Sequence, residues 1–342
     1  MSIAAHDTDP QAEAADSGRR NKKKNSEARP EKMQNAWAAW LLAPTILLLL
    51  VVIGYPVISA IVMSFSKDAG LDANGFFVQG GAAGFSNYFA WLFQQCSAPD
   101  GGTAACAPGQ LGSQFWSATG NTFFFTIVTV ALETIIGFWM AIIMARTFRG
   151  RGLVRAAILV PWAIPTAVTA KLFFFMFAFD GVINKMLGTQ ILWTGSEWPS
   201  KWAIIISDTW KTTPFMALLI LAGLQMIPAE VYEAAKVDGA NAWQRFRMIT
   251  LPMVKPALMV AILFRTLDAL RMFDLPYILT GGANNTDTLS ILVVQQIRQG
   301  YNSASALSTI TFIIIFLVAF IFVRFLGANA FQSSTGKKKA AK

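Results

Sequence analysis

The stretch TGNTFFFTIVTVALETIIGFWMAIIMA, Thr119–Ala145, carries a single ionisable side chain, Glu133. As a helix it is long enough to cross the ~30 Å hydrocarbon core of a bilayer. Working outward, five further apolar runs of similar length occur at Leu41–Phe65, Ala156–Phe179, Trp202–Met226, Pro256–Leu279 and Ala304–Val323. Inside lipid each run must close its own backbone hydrogen bonds, which selects helices. A transmembrane barrel would need short alternating segments, and none are present. The composition agrees, with 54% hydrophobic and 14% charged residues. The expected fold is therefore all-α, a polytopic membrane protein with six spanning helices.

The formal charge of +9 raises nucleic acid as a partner, but the placement of the cations argues for membrane topology instead. With six spans and both termini in the cytoplasm, twenty Lys/Arg fall inside and four, Lys67, Lys185, Lys201 and Arg298, fall outside. Positive residues concentrate on the cytoplasmic side of membrane proteins, and the opposite orientation would invert the bias. No nucleic-acid partner is expected; the basic excess orients the chain and contacts anionic lipid.

Residues 1–35 read as a polar, disordered cytoplasmic arm, residues 36–328 as the six-helix domain, and residues 329–342 as a basic cytoplasmic tail. Pro44 and Pro56 predict a kinked or broken first span. Residues 66–117 form a long external loop that holds both cysteines, Cys96 and Cys106. The external compartment permits a disulfide between them, with two free thiols as the alternative. His6 and two cysteines do not build a metal site, so no metal is expected.

Residues 228–252 form the most informative cytoplasmic loop. Pro228 can open a helix, and Glu230 and Glu233 suit its positive N-terminal end. Gly239 fits a left-handed stop, and Asn241 can cap a second short helix from Ala242 towards Ile249, ended by Pro252. Two short helices about a glycine elbow are suited to docking in a groove on a partner.

Glu233-Ala234-Ala235, then Gly239, Ile249 and Leu251-Pro252, resemble the EAA loop of the permease subunits of binding-protein-dependent ABC importers. The resemblance covers roughly residues 37–326. It includes Gly84-Phe85-Ser86-Asn87-Tyr88, the run Leu159–Pro165, Trp210–Phe215, Leu263–Ala269, and Leu279-Thr280-Gly281-Gly282. These segments look like the carbohydrate-uptake branch, and the later ones are most similar to its trehalose-importing members in mycobacteria. The resemblance implies a type I importer architecture and a sugar as cargo, trehalose first, with maltose or another di- or oligosaccharide as alternative. It implies a multi-pass protein of the cytoplasmic membrane. It also implies a second homologous permease, two copies of a cytoplasmic ATPase, and an extracellular sugar-binding protein. Glu233, Ala234, Ala235, Asp238 and Gly239 would then form the coupling segment that meets the ATPase.

No Gly-x-x-x-x-Gly-Lys-Ser/Thr sequence occurs, so ATP and Mg belong on the partner ATPase and no cofactor is expected on this chain. A membrane-embedded enzyme lacks a catalytic constellation here. An ion-coupled secondary transporter would use Glu133, Lys171, Asp208, Lys211, Arg265, Asp268, Arg271 and Asp274, but leaves the cytoplasmic loop unexplained.

By resemblance to maltose-type permeases, the sugar would be met by Trp162 and Thr166 on the third span. Asp208, Thr212 and Phe215 match on the fourth, and Arg265, Ala269 and Met272 on the fifth. Helical spacing adds Asp268, because Arg265, Asp268, Ala269 and Met272 fall at i, i+3, i+4 and i+7. Arg265 and Asp268 either neutralise one another or contact the sugar.

Overall fold

The computed structural model describes residues 39–71, 77–78, 80–97 and 103–324. The N-terminal arm and the basic tail expected from the sequence lie outside the described residues. By compactness the chain divides at Ser59. On the N-terminal side the described residues form the greater part of helix α1, Ala39–Ser64. This helix is not broken. It widens into a π turn over Leu50–Gly54, where the Tyr55 N–H donates to the Leu50 carbonyl, just ahead of Pro56. A wide turn leaves room for a proline ring without ending the helix.

The larger unit holds α2 (Ser86–Leu92), α3 (Phe115–Ala145), α4 (Arg151–Ala163), α5 (Thr166–Met176), α6 (Val182–Leu187) and α7 (Glu197–Gln225). It continues with α8 (Ala229–Val237), α9 (Ala242–Ala269), α10 (Asp274–Thr280), α11 (Leu289–Ile297) and α12 (Tyr301–Phe322). Among the described residues, strand content is confined to two antiparallel ribbons within residues 66–117, β1 (Gly70–Leu71) with β2 (Phe77–Val78) and β3 (Gln95–Ser97) with β4 (Thr103–Ala105).

α7 is the central element, with 67% of its apolar stretch buried. Glycines let its neighbours approach closely, as small residues do where helices pack in membranes. A Cβ on Gly137 of α3 would lie 3.1 Å from the Met216 Cβ, and one on Gly223 of α7 would lie 2.4 Å from the Ala257 Cβ of α9. The core formed along this seam contains Phe138, Met144, Met216, Ile220, Val254 and Ala261.

Three expected elements differ. The third span is two helices, α4 and α5, bent by 91° at Ile164-Pro165. Ile164 is extended at ψ 132°, the region that a following proline favours. The fifth span begins earlier and ends earlier than the apolar run. α9 stops at Ala269, ahead of Pro276, whose ring would meet the Met272 carbonyl in a helix running on through it. That carbonyl instead accepts from Thr288 Oγ1 at 2.9 Å, and α10 begins with Pro276 in its first turn. Met272 therefore does not continue the helical face of Arg265. Finally, Pro252 does not end the short helix that starts at Ala242. A π turn over Phe246–Thr250, with the Leu251 N–H donating to the Phe246 carbonyl, carries the chain straight into α9.

Within residues 66–117 Cys96 and Cys106 are joined by a disulfide. Gly112 packs against it, where a Cβ would sit 2.5 Å from the Cys106 Sγ. Asp68 caps α12 by accepting from the N–H groups of Asn302 and Ser303.

Candidate functional site

The break in the third span, the middle of α7 and the end of α9 enclose one cavity of about 270 Å³. Trp162 and Thr166 flank the break, Asp208 and Thr212 come from α7, and Arg265 and Asp268 come from the last turns of α9. Met272 joins them from the turn after α9. Two candidates lie off the wall. Phe215 stacks on Trp162, with ring centroids 5.9 Å apart and planes at 22°, and so supports a wall residue from behind. Ala269 is buried in the helix packing. Lys211, Arg271, Phe273 and Asp274 also line the cavity, although the sugar-site reading did not include them.

Arg265 is 1% exposed and organises the site. Its Nε donates to Glu133 Oε2 at 2.5 Å and its Nη2 to Glu133 Oε1 at 3.0 Å, a two-point grip from α3. Nη2 also donates to Asp208, and Nη1 to Asp268 Oδ2 at 3.0 Å. Thr212 Oγ1 donates to the same Glu133 carboxylate at 2.5 Å. Glu133 is fully buried and thus fixes two cavity residues, from α7 and α9, without lining the cavity itself. The mutual pair of Arg265 and Asp268, one of the two alternatives, is formed as the outermost contact: the Asp268 side chain is 64% exposed. The one sequence signal for Glu133 is a lone carboxylate in an apolar span, which calls for a buried partner.

Chemically the wall offers an indole face, carboxylates, a threonine hydroxyl and cationic N–H donors. That set serves a ligand rich in hydroxyls with an apolar ring face. Among the described residues no cluster of His, Cys, Asp or Glu could hold a metal ion.

The second candidate region is the glycine elbow. α8 starts after Pro228, and Gly239 closes it at φ 78°, with the Ala240 N–H donating to the Ala235 carbonyl at 2.9 Å. This is the backbone pattern of a left-handed helix stop. Asn241 then caps α9 reciprocally with Gln244. Glu233, Ala234, Asp238 and Gly239 are exposed along the loop, while Ala235 is half-buried. Val237 and Trp243 are exposed as well, an apolar surface at the elbow.

Residues 133–332 match the family described as the binding-protein-dependent transport system inner membrane component. The trehalose transport system permease protein SugA of Mycobacterium tuberculosis is 36% identical over 296 residues, 86% of this chain and 89% of that protein. The trehalose/maltose transport system permease protein MalF of Thermococcus litoralis is 42% identical over 219 residues, 62% of this chain and 74% of that one. Among solved structures, a bacterial ABC transporter involved in import of the acidic polysaccharide alginate matches 86% of this chain and 98% of that chain. Its TM-score is 0.69 at 20% identity, which speaks to the fold.

Proposed function

The chain belongs to the binding-protein-dependent transport system inner membrane components, the non-catalytic permease subunits of ABC importers, and from that premise we propose that it conducts a sugar, trehalose foremost. The observation that carries the reading is the cavity at the broken third span, where an indole, carboxylates and N–H donors meet in one small space. Its lining suits a disaccharide: Trp162 stacks on a ring face, while Asp208, Asp268, Thr212 and Arg265 exchange hydrogen bonds with hydroxyls. The names carried by the two relatives support trehalose before other disaccharides.

In this reading a second, homologous permease completes the path, and an extracellular sugar-binding protein delivers cargo. Two ATPase copies hold ATP and Mg in the cytoplasm and receive the elbow of Glu233, Ala234, Ala235, Asp238 and Gly239. The exposed Val237 and Trp243 beside that elbow support docking. Both termini are cytoplasmic, in keeping with the cation bias. The domain limits 1–35, 36–328 and 329–342 follow from the same topology.

The test is uptake of labelled trehalose and maltose by host cells with this chain deleted and then restored. Loss of trehalose uptake that returns with the chain is the expected result. Unchanged uptake of trehalose on deletion refutes trehalose as cargo, and loss of maltose uptake alone replaces it with maltose.

A further inference from the structure

The bend between α4 and α5 takes the Ile164 backbone out of helical geometry, and its carbonyl is met by a side chain from another span. Lys211 of α7 donates from Nζ to the Ile164 carbonyl at 3.0 Å. Among the described residues no carboxylate lies within 4.0 Å of that ammonium. Asp208, one turn earlier on the same helix, is occupied by Arg265. Asp208 and Asp268 line the same cavity beyond ion-pair distance, so the ammonium has one hydrogen-bond acceptor for three donors, an incomplete arrangement that is costly to hold in a membrane.

Lys211 also lines the cavity, beside Trp162 and Thr166, which stand on the two sides of the break. One turn further along α7, Phe215 stacks on Trp162. A single face of α7 therefore holds the bend at two points, a ring stack and a charged hydrogen bond. A hydroxyl-rich molecule in the cavity brings oxygen acceptors to the ammonium and competes with, or adds to, the Ile164 carbonyl.

Building on the sugar reading of the cavity, we propose that Lys211 is a specificity-determining contact that binds a cargo hydroxyl and passes occupancy to the bend of the third span. Lys211 then does two things with one ammonium: it selects cargo carrying a hydroxyl at the matching position, and it sets the angle between α4 and α5.

The test uses the whole importer in lipid, with its ATPase and binding protein, and Lys211→Met, which keeps the stem but removes the donors. Lys211→Arg keeps a cationic donor. With the loaded binding protein at saturating concentration, Lys211→Met should lower trehalose uptake per assembled complex roughly tenfold or more, the loss of one charged hydrogen bond, while Lys211→Arg recovers part of it. A series of singly deoxygenated trehaloses should show one position at which the wild type discriminates and Lys211→Met does not. Spin labels on cysteines replacing the exposed Val160 and Leu172 should report a cargo-dependent distance in the wild type that is absent in Lys211→Met.

A purely architectural lysine predicts something else: Lys211→Met lowers assembly and lowers uptake of every deoxygenated trehalose in proportion, so that the deoxy-sugar preference is unchanged. That result overturns the proposal. If Lys211→Met does not assemble, Lys211→Arg decides, since an altered deoxy-sugar preference supports the contact and wild-type preference overturns it. A wild-type complex that imports no sugar at all refutes the cargo reading itself and the inference with it.

Discussion

Replacing Arg265 with methionine should destabilise the permease far more than removing Asp268, although the two residues are a turn apart. Methionine fills much of the same space but leaves Glu133, fully buried, and Asp208, nearly so, without the guanidinium that receives them. Orphaning one partner of a buried ion pair costs about 3–5 kcal/mol. At roughly 2–4 °C per kcal/mol for a domain of this order, Tm should fall by roughly 6–20 °C. Asp268→Ala removes only the exposed arm of the network, an interaction of about 1 kcal/mol or less. Its Tm should shift by no more than roughly 2–4 °C on the same scale. The double change Arg265→Met with Glu133→Leu should recover part of the loss, because Glu133 is then no longer left unpaired while Asp208 still is. Thermal melting of the purified complex by fluorescence-detected size exclusion measures all five proteins, Glu133→Leu alone and the wild type included. Equal shifts for Arg265→Met and Asp268→Ala, or a double mutant as unstable as the sum of its parts, would refute the central role of Glu133.

The glycine elbow gives a second test. Gly239 has open space where a Cβ would stand, so Gly239→Val is opposed by its φ of 78° and not by a clash. Transport and sugar-stimulated ATP hydrolysis should fall in Gly239→Val and be largely kept in Gly239→Asn, since asparagine tolerates the left-handed region; equal activity of the valine variant and wild type counts against coupling at this turn. Burial beneath Gly282 raises the Asp287 carboxyl to about 6, against an accepted hydrogen bond from Gln295 that lowers it. The folded state then holds a proton that the unfolded chain releases, so stability declines as pH rises from 3.8 to about 6. Asp287→Asn should flatten that part of the stability profile, and an unchanged profile measured by thermal melting would exclude Asp287 as its source.

Much of this molecule is local in origin and so was legible in the sequence. Span length is set by bilayer thickness, which makes apolar runs such as Thr119–Ala145 and Ala304–Val323 readable without a fold. The Gly239 elbow and the Asn241 cap depend on the backbone preferences of single residues, and their positions followed from residue type alone. Helical spacing likewise brought Arg265 and Asp268 together.

What only the tertiary structure decided is how each proline is accommodated and which charges meet. Pro214 and Pro256 sit inside continuous helices, whereas the chain breaks ahead of Pro165 and Pro276. At both breaks a carbonyl is received by a distant side chain, Ile164 by Lys211 and Met272 by Thr288. A break in lipid is stable only where another segment satisfies the backbone it frees, so it depends on partners outside the span. The grip of Glu133 on Arg265 joins residues 132 positions apart, a distance over which local spacing carries no signal and only the packing of α3 against α9 brings charge to charge.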